Sequence, residues 1–391
     1  MWGLHFMTNA GSYQSLNDLA DLYESLLGGA PADEAFRLVR GQPNELQRVQ
    51  RDLYLLTEQA RARPAVADLI TRDPGAALDA IRRTDGGPSF LQAFAEFLDA
   101  HGHLGQPYDD LTFPSWGDDP ALVLAEVRKR LLHPAGDPEH TRQRLAAEAE
   151  ALAGQLRARL RQRPEDLHRF EEALALARDA GPLTEGHNYW LDRMLQAHIH
   201  RLARRVGRRL TGAGVLDRED DVFFLFADEI AQSLREPADR RAKVADRRAE
   251  LAHWRTVKPP RVLGKPPEVP PPPNRFEPPP RVQKDAHVLR GIGASPGKGH
   301  GPARVVSSAD DFARVQSGDV LVCPSSNPSW VPLFGIISGL VTNTGGALSH
   351  AAVVAREFGV PAVVGTGEAT ERLRDGQLVE VDGTAGEVRL L

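Results

Sequence analysis

The sequence predicts a multidomain α and α/β protein. A mostly α-helical N-terminal domain (residues 1–256) is followed by a proline-rich linker (257–282) and a small C-terminal α/β domain (283–391). Three observations carry this reading. Apolar residues recur at helical spacing before residue 256. Eleven of the twenty-two residues from Pro259 to Pro280 are proline. Short apolar runs separated by glycine-containing turns come after that. The proline run excludes a helix or a central strand and favours extended polyproline II at about 3.1 Å per residue, a semi-rigid tether or a strap along the helical surface.

Length and composition set the outer limits. A chain of 391 residues can bury two or three cores, and 41% hydrophobic with 26% charged residues is ordinary for a soluble globular protein. The net charge of −5 gives no reason to expect bulk binding of nucleic acid. Cys323 is the single cysteine, so no internal disulfide forms and a cytoplasmic setting is expected. The N-terminus lacks the charged and apolar regions of a signal peptide, and the run from Trp330 to Val341 is too short to span a bilayer. A soluble protein with no membrane partner is the expectation.

In the N-terminal domain, Leu145, Ala149, Leu152, Leu156 and Leu160 lie on one helical face, and Leu191, Leu195, Ile199, Leu202, Val206 and Leu210 on another. Both stripes are expected to face the core. Glycine and proline punctuation divides the region into roughly eight to ten helices. Neither a phosphate-binding P-loop nor cysteine spacing for a metal occurs, and no metal site is expected. Three segments could carry chemistry. Phe97 to Pro120 contains His103 and Trp116, which fit either a packed interhelical corner or part of a site. Leu183 to Arg193, LTEGHNYWLDR, gathers Glu185, His187, Tyr189 and Asp192 at a helix start. There Glu185 with His187 could act as base for an acceptor hydroxyl, or the acids could simply complement the helix dipole. Arg201, Arg204, Arg205, Arg208 and Arg209 form a stripe that reads as a solvated face or as a docking surface for an acidic partner.

The C-terminal domain holds the most specific signal, VTNTGGALSHAAVVAREFGVPAVVG over residues 341–365. Ser349 suits a helix N-cap and places His350 in the first turn, where the dipole and free N–H groups favour anions over a protonated imidazole. A neutral imidazole is a nucleophile, and Gly345 with Gly346 allows close approach of backbone to a phosphate. Local physics alone leaves a structural turn equally open. Gly359 and Pro361 end the helix, and Ala362 to Val364 read as a short buried strand.

This stretch resembles the mobile phosphohistidine domain of PEP-utilising enzymes, the group that contains PEP synthase, pyruvate phosphate dikinase and rifampicin phosphotransferase. Thr342, Gly345, Gly346, Ser349, His350, Ala352, Ala355, Arg356, Glu357, Gly359, Pro361, Ala362, Val363 and Gly365 match the family pattern. LRGIGASPGKGHGPARVV (289–306) is similar to the family's opening strand pair. More loosely, Gly102, His103, Gly105 and Trp116 resemble the helical part of rifampicin phosphotransferase-like proteins, the Glu185–His187–Asp192 pattern resembles one in some PEP-utilising proteins, including phenylphosphate synthase-like ones, and Asp220 to Glu229 resembles a segment of the family. Leu104 stands where the family usually has arginine, and Leu348 where the dikinases carry a regulatory threonine.

The resemblance implies a swivelling β/β/α domain with His350 as the phosphorylated residue. Gly345, Gly346, Ser349, Thr342 and Arg356 would lie around the phosphoryl group, and His103, Glu185, His187 and Asp192 are the acceptor-site candidates. The sequence shows neither an ATP-grasp domain nor a PEP-binding barrel, so ATP and Mg²⁺ are expected mainly on an ATP-grasp protein acting in trans. His350 would attack the β-phosphoryl of ATP, leaving AMP and phosphate, and then donate to a small-molecule acceptor. Three functions fit: a phosphotransferase subunit, a dehydratase that phosphorylates a hydroxyl and then eliminates it, and a non-catalytic binding module. The intact Ser349-His350 pair argues against the third.

Overall fold

The computed structural model describes residues 2–28, 32–105, 110–134, 136–257, 264–265, 285, 287–307, 309–327 and 330–391. Most of the proline-rich linker, and Pro328 with Ser329, lie outside the described residues.

The N-terminal part is helical, as the periodicity predicts, with twelve α-helices among the described residues. They are α1 (Trp2–Leu26), α2 (Glu45–Arg61), α3 (Pro64–Arg72), α4 (Ala77–Ile81), α5 (Gly87–His101), α6 (Ala121–Leu132), α7 (Pro138–Leu160), α8 (Pro164–Ala180), α9 (Leu183–His187), α10 (Met194–Gly212), α11 (Ala227–Arg235) and α12 (Arg241–Thr256). The count exceeds the expected eight to ten because several prolines open helices instead of breaking them. Pro64, Pro138 and Pro164 occupy the first turns of α3, α7 and α8, where the missing N–H costs nothing.

Three apolar clusters hold this part together. One joins α2 to α6 around Leu53, Phe90, Phe94 and Phe97. A second joins α1, α7 and α8 around Leu19, Phe36, Leu156 and Phe170. A third fastens α10 to α11 and α12 through Leu210, Leu216 and Val222. The Leu145 stripe of α7 is buried as expected, apart from Leu152, which is half-buried. Asp221 and Glu229 cap their local turns by accepting from the backbone N–H groups of Arg218 and Phe226.

The stripe on α10 is a correction. Its buried residues are Gln196, Ala197, His200, Gly207 and Leu210, whereas Leu195, Ile199 and Leu202 are exposed. Two features bear on the facing of α10. Residues Asn188–Arg193 form a π-helical turn between α9 and α10, which shifts the facing of every later residue relative to an unbroken α-helix. Close packing also selects the other face. A β-carbon on Gly207 would lie 2.0 Å from the carbonyl oxygen of Glu219, so only a glycine side fits there. The arginine stripe is partly spent on internal ion pairs: Arg204 with Glu219 and Asp220, and Arg208 with Glu219.

The C-terminal part is a sheet of eight strands, β1 (Val288–Arg290), β2 (Ile292–Ser295), β3 (Lys298–Val305), β4 (Val320–Cys323), β5 (Gly339–Thr342), β6 (Ala362–Val364), β7 (Leu378–Asp382) and β8 (Glu387–Leu390). Its order is β1-β8-β7-β3-β4-β5-β6-β2. The pairs β3–β4, β4–β5 and β5–β6 are parallel, and the outer pairs are antiparallel. The expected opening strand pair does not form. β1 and β2 are separated by Gly291 alone, yet they sit at opposite edges of the sheet and pair with β8 and β6. The sheet must therefore roll until its edges meet at Gly291, where a β-carbon would lie 2.5 Å from the Val364 carbonyl oxygen.

Short α13 (Val331–Phe334), α14 (His350–Phe358) and α15 (Ala369–Arg372) complete this part. The core between α13, α14 and the sheet includes Phe334, Leu340, Ala352, Ala355 and Val364, and it also takes in Leu46 from α2. Ala347 and half-buried Leu348 pack in return into the α1–α8 cluster. The two parts are thus in apolar contact on either side of the loop that leads into α14.

Candidate active site

The loop from Thr342 to His350 leaves β5 and opens α14. Gly345 takes φ +114°, a conformation that favours glycine. Ser349 caps α14: its hydroxyl accepts from the N–H of Ala352 at 3.4 Å and donates to the Gly346 carbonyl at 2.8 Å. Thr342 is buried, with Oγ1 donating to the Thr344 carbonyl at 2.7 Å. Arg356 runs back beneath the loop. Its guanidinium donates to the carbonyls of Ala347 (2.5 Å) and Ala294 (3.0 Å) and lies over the Phe36 ring, 4.9 Å from its centroid. Three of the side chains expected around a phosphate therefore shape the loop in this arrangement. A β-carbon on Gly345 would come within 2.8 Å of the Ser349 hydroxyl. Gly345→Ala should therefore strain the turn and disturb the cap, lowering stability by about 2 kcal/mol in thermal unfolding.

His350 is the first residue of α14 and meets the helical part directly. Its Nδ1 lies 2.8 Å from Oε1 of Glu185. A carboxylate only accepts, so Nδ1 carries the proton, and in the neutral imidazole the lone pair is on Nε2. Nε2 is buried and has no hydrogen-bond partner among the described residues. Glu185 sits on α9, and its other oxygen receives Nδ2 of Asn188 at 3.3 Å. Tyr13 of α1 belongs to the same surroundings. Its phenol is pushed up to about 12 by burial and by the Glu185 carboxylate, so it stays protonated.

The remaining candidates fall in two places. His187 is buried two residues along, with Nδ1 2.8 Å from the Leu183 carbonyl and Nε2 4.0 Å from Asp192. Glu185, which with His187 could have served as a base, contacts His350 instead of lying free beside the acceptor side. The spacing of two residues on a helix turns these side chains apart. His103 packs edge-on to Tyr189, with ring centroids 4.5 Å apart, and burial followed by the nearby His101 lowers it to about 4. Tyr189 is itself tied to His101 (2.9 Å), which reaches Asp52 at 2.8 Å. That His101–Asp52 pair, Tyr13 and Asn188 carry no motif of their own in the sequence.

Little space remains around these groups. A cavity of about 40 Å³ adjoins Glu185, and one of about 30 Å³ adjoins Asn188 and Tyr189. Neither holds more than a water molecule or two. A cleft of about 300 Å³ lies beside Glu357 to Pro361, at the far end of α14 from His350, about 12 Å along the helix axis. No three His, Cys, Asp or Glu side chains converge to hold a metal among the described residues.

Side-chain donors of the helical part read the backbone of the sheet part across the interface. Arg40 reaches the Arg356 carbonyl, Gln50 that of Val331, Arg130 that of Pro332 and Lys129 that of Phe312. Gln47 donates to the Glu357 carboxyl at 2.9 Å. Burial raises that carboxyl to about 7, although Arg356 and Arg40 pull it down. A carboxyl raised in the folded state favours that state fully below its unfolded range, and the benefit is lost as pH rises through about 7. Wild-type thermal stability should therefore fall between about pH 4.5 and pH 7, while Glu357→Gln should flatten the profile and gain about 2 kcal/mol at pH 8.

Residues 315–386 match the model of the PEP-utilising enzyme mobile domain. Residues 5–185 match that of the rifampicin phosphotransferase fourth domain. The chain is thus similar to PEP-utilising enzymes in its C-terminal part and to rifampicin phosphotransferase in its helical part. Its relatives include chondramide synthase of Chondromyces crocatus, 32% identical over all of this chain and 10% of that protein. An uncharacterised phosphotransferase of Bacillus subtilis is 27% identical over 96% of this chain and 45% of its own length. Rifampicin phosphotransferase of Streptomyces sviceus is 29% identical over 80% of this chain and 36% of its own length. The chain thus spans less than half the length of these relatives. The mobile-domain match covers the loop and helix that bear His350. No helix is long and apolar enough to cross a membrane among the described residues.

Proposed function

We propose that this chain carries a phosphoryl group on Nε2 of His350 and delivers it to a small-molecule acceptor at the helical part. The observation that carries this reading is the contact of the imidazole with Glu185. The ring is fixed through Nδ1 by Glu185 at 2.8 Å, which leaves the Nε2 lone pair as the nucleophile at a helix N-terminus. The phosphoryl group comes from ATP, bound with Mg²⁺ by an ATP-grasp protein or domain. With the two parts together Nε2 is sealed, so charging requires the sheet part to move away. The acceptor site must open as well, because the cavities beside Glu185 and Asn188 are too small for a substrate. A mobile carrier on a proline tether reconciles closed sites with travel between them.

Incubation with ATP, Mg²⁺ and an ATP-grasp partner should place one acid-labile phosphate on His350, read by mass spectrometry. Equal labelling of His350→Ala would overturn the assignment. A second reading uses the same relay to convert a hydroxyl into a leaving group for elimination. It is supported by the similarity to chondramide synthase over the whole chain. The products separate the two: a stable phosphoester for the first, an alkene with free phosphate for the second.

A further inference from the structure

Phosphohistidine is a good donor only when its ring is protonated. If the phosphoryl group is on Nε2 and Nδ1 keeps its proton, the Nε2–P bond breaks with its electron pair returning to Nε2, and neutral imidazole departs. The acceptor oxygen forms the new O–P bond and its proton passes to water. If Nδ1 has lost its proton, the leaving group is an imidazolate anion, and transfer is slow. The hydrogen bond from His350 Nδ1 to Glu185 engages the ring nitrogen that the phosphoryl group does not occupy. Glu185 belongs to α9, on the other side of the interface from His350.

We infer that Glu185 is a positioning residue that makes phosphorylated His350 reactive only when the sheet part is seated on the helical part. This rests on the proposal that His350 is the carrier. Away from the helical part the ring loses its carboxylate partner, and the phosphorylated carrier is a stable store. When seated, the ring regains that partner, and the proton is held on Nδ1 by an opposite charge and a direct hydrogen bond. After transfer the neutral ring is left with a free pair on Nε2 and Nδ1 donating to Glu185, across the 2.8 Å contact of this structure.

The groups around this pair are consistent with the assignment. Tyr13 of α1 is held neutral. Asn188 donates to the second Glu185 oxygen. On α14, Arg356 is committed to backbone carbonyls, and Glu357 is raised to about 7. Arg40 faces the carbonyl of Arg356. His187 and Asp192 of the same helical stretch face each other. Glu185 is therefore the carboxylate in direct contact with the ring among the described residues.

The full-length chain can be phosphorylated chemically with phosphoramidate, so no ATP-binding partner is needed, and the ring protonation of each phosphohistidine followed by ³¹P NMR against pH. The phosphorylated His350 ring should titrate about one pH unit higher in wild type than in Glu185→Gln. Its phosphoryl group should leave about tenfold faster at a pH above both midpoints. His198, exposed on α10, supplies an internal reference that should be identical in the two proteins. Coincident His350 midpoints in wild type and Glu185→Gln would overturn the inference. Were the variant to misfold, wild type alone still decides, because a His350 midpoint equal to that of His198 also overturns it. Failure of ATP to label His350 would refute the carrier proposal and leave this titration unaffected.

Discussion

Replacing His350 by glutamine should reduce phosphoryl transfer at least about a thousandfold, because the atom that forms the covalent intermediate is removed. The fold should barely notice. His350 is half-buried at the first position of α14, and the helix keeps its Ser349 cap and its Gly359 terminus. The variant loses one hydrogen bond to Glu185, and the glutamine amide can still donate to that carboxylate. A stability loss of about 1 kcal/mol follows. Phosphate incorporation and thermal unfolding measured side by side separate the two effects. Lost activity with an unfolding temperature lowered by only the few degrees that about 1 kcal/mol implies places the histidine in the chemistry. A variant that retains transfer would remove His350 from it.

The loop around His350 was the most legible feature of the sequence because its signals are local. A serine cap, a left-handed glycine end and a glycine pair each dictate backbone over a few residues. The buried strand at Ala362–Val364 follows the same rule. The acceptor side was less legible. Glu185 and His187 were visible as polar residues at a helix start, but their partners depend on which face the helix presents, and the π-helical turn at Asn188–Arg193 changes that face. Leu195, Ile199 and Leu202 share a face of α10 as their spacing predicts, but close packing at Gly207 buries a different face and leaves them outward.

Topology shows a related boundary. The strands at 288–305 were readable as strands, but not their placement at opposite sheet edges, because Gly291 permits a sharp change of partner that no periodicity encodes. The interface between the two parts was not readable either, since it consists largely of side-chain donors aimed at backbone carbonyls. Gln50 meeting Val331 and Arg130 meeting Pro332 leave no complementary residue pattern in the sequence.

Arg356 marks where sequence and structure diverge most usefully, and its loss should have the second large effect. A match to the family motif suggests a cation for the phosphoryl group. Instead, the side chain is 8% exposed, with its guanidinium donating to Ala347 and Ala294 and stacked on Phe36 of the helical part. Truncation to alanine would strand two buried carbonyls, remove the stacked plane and leave a void beneath the loop. Each charge-assisted bond contributes about 1.5–3 kcal/mol, so Arg356→Ala should cost about 3–5 kcal/mol. Arg356→Lys should restore only part of this, because an ammonium cannot span two carbonyls as a planar fork does. Hydrogen exchange should rise first over residues 345–349, whose path depends on the Ala347 contact, and phosphate incorporation at His350 should fall with it. If Arg356 instead touched the phosphoryl group directly, Arg356→Lys would keep the loop protected and still lose transfer. Exchange and labelling measured on the same two variants therefore distinguish a residue that holds the loop from one that holds the phosphate.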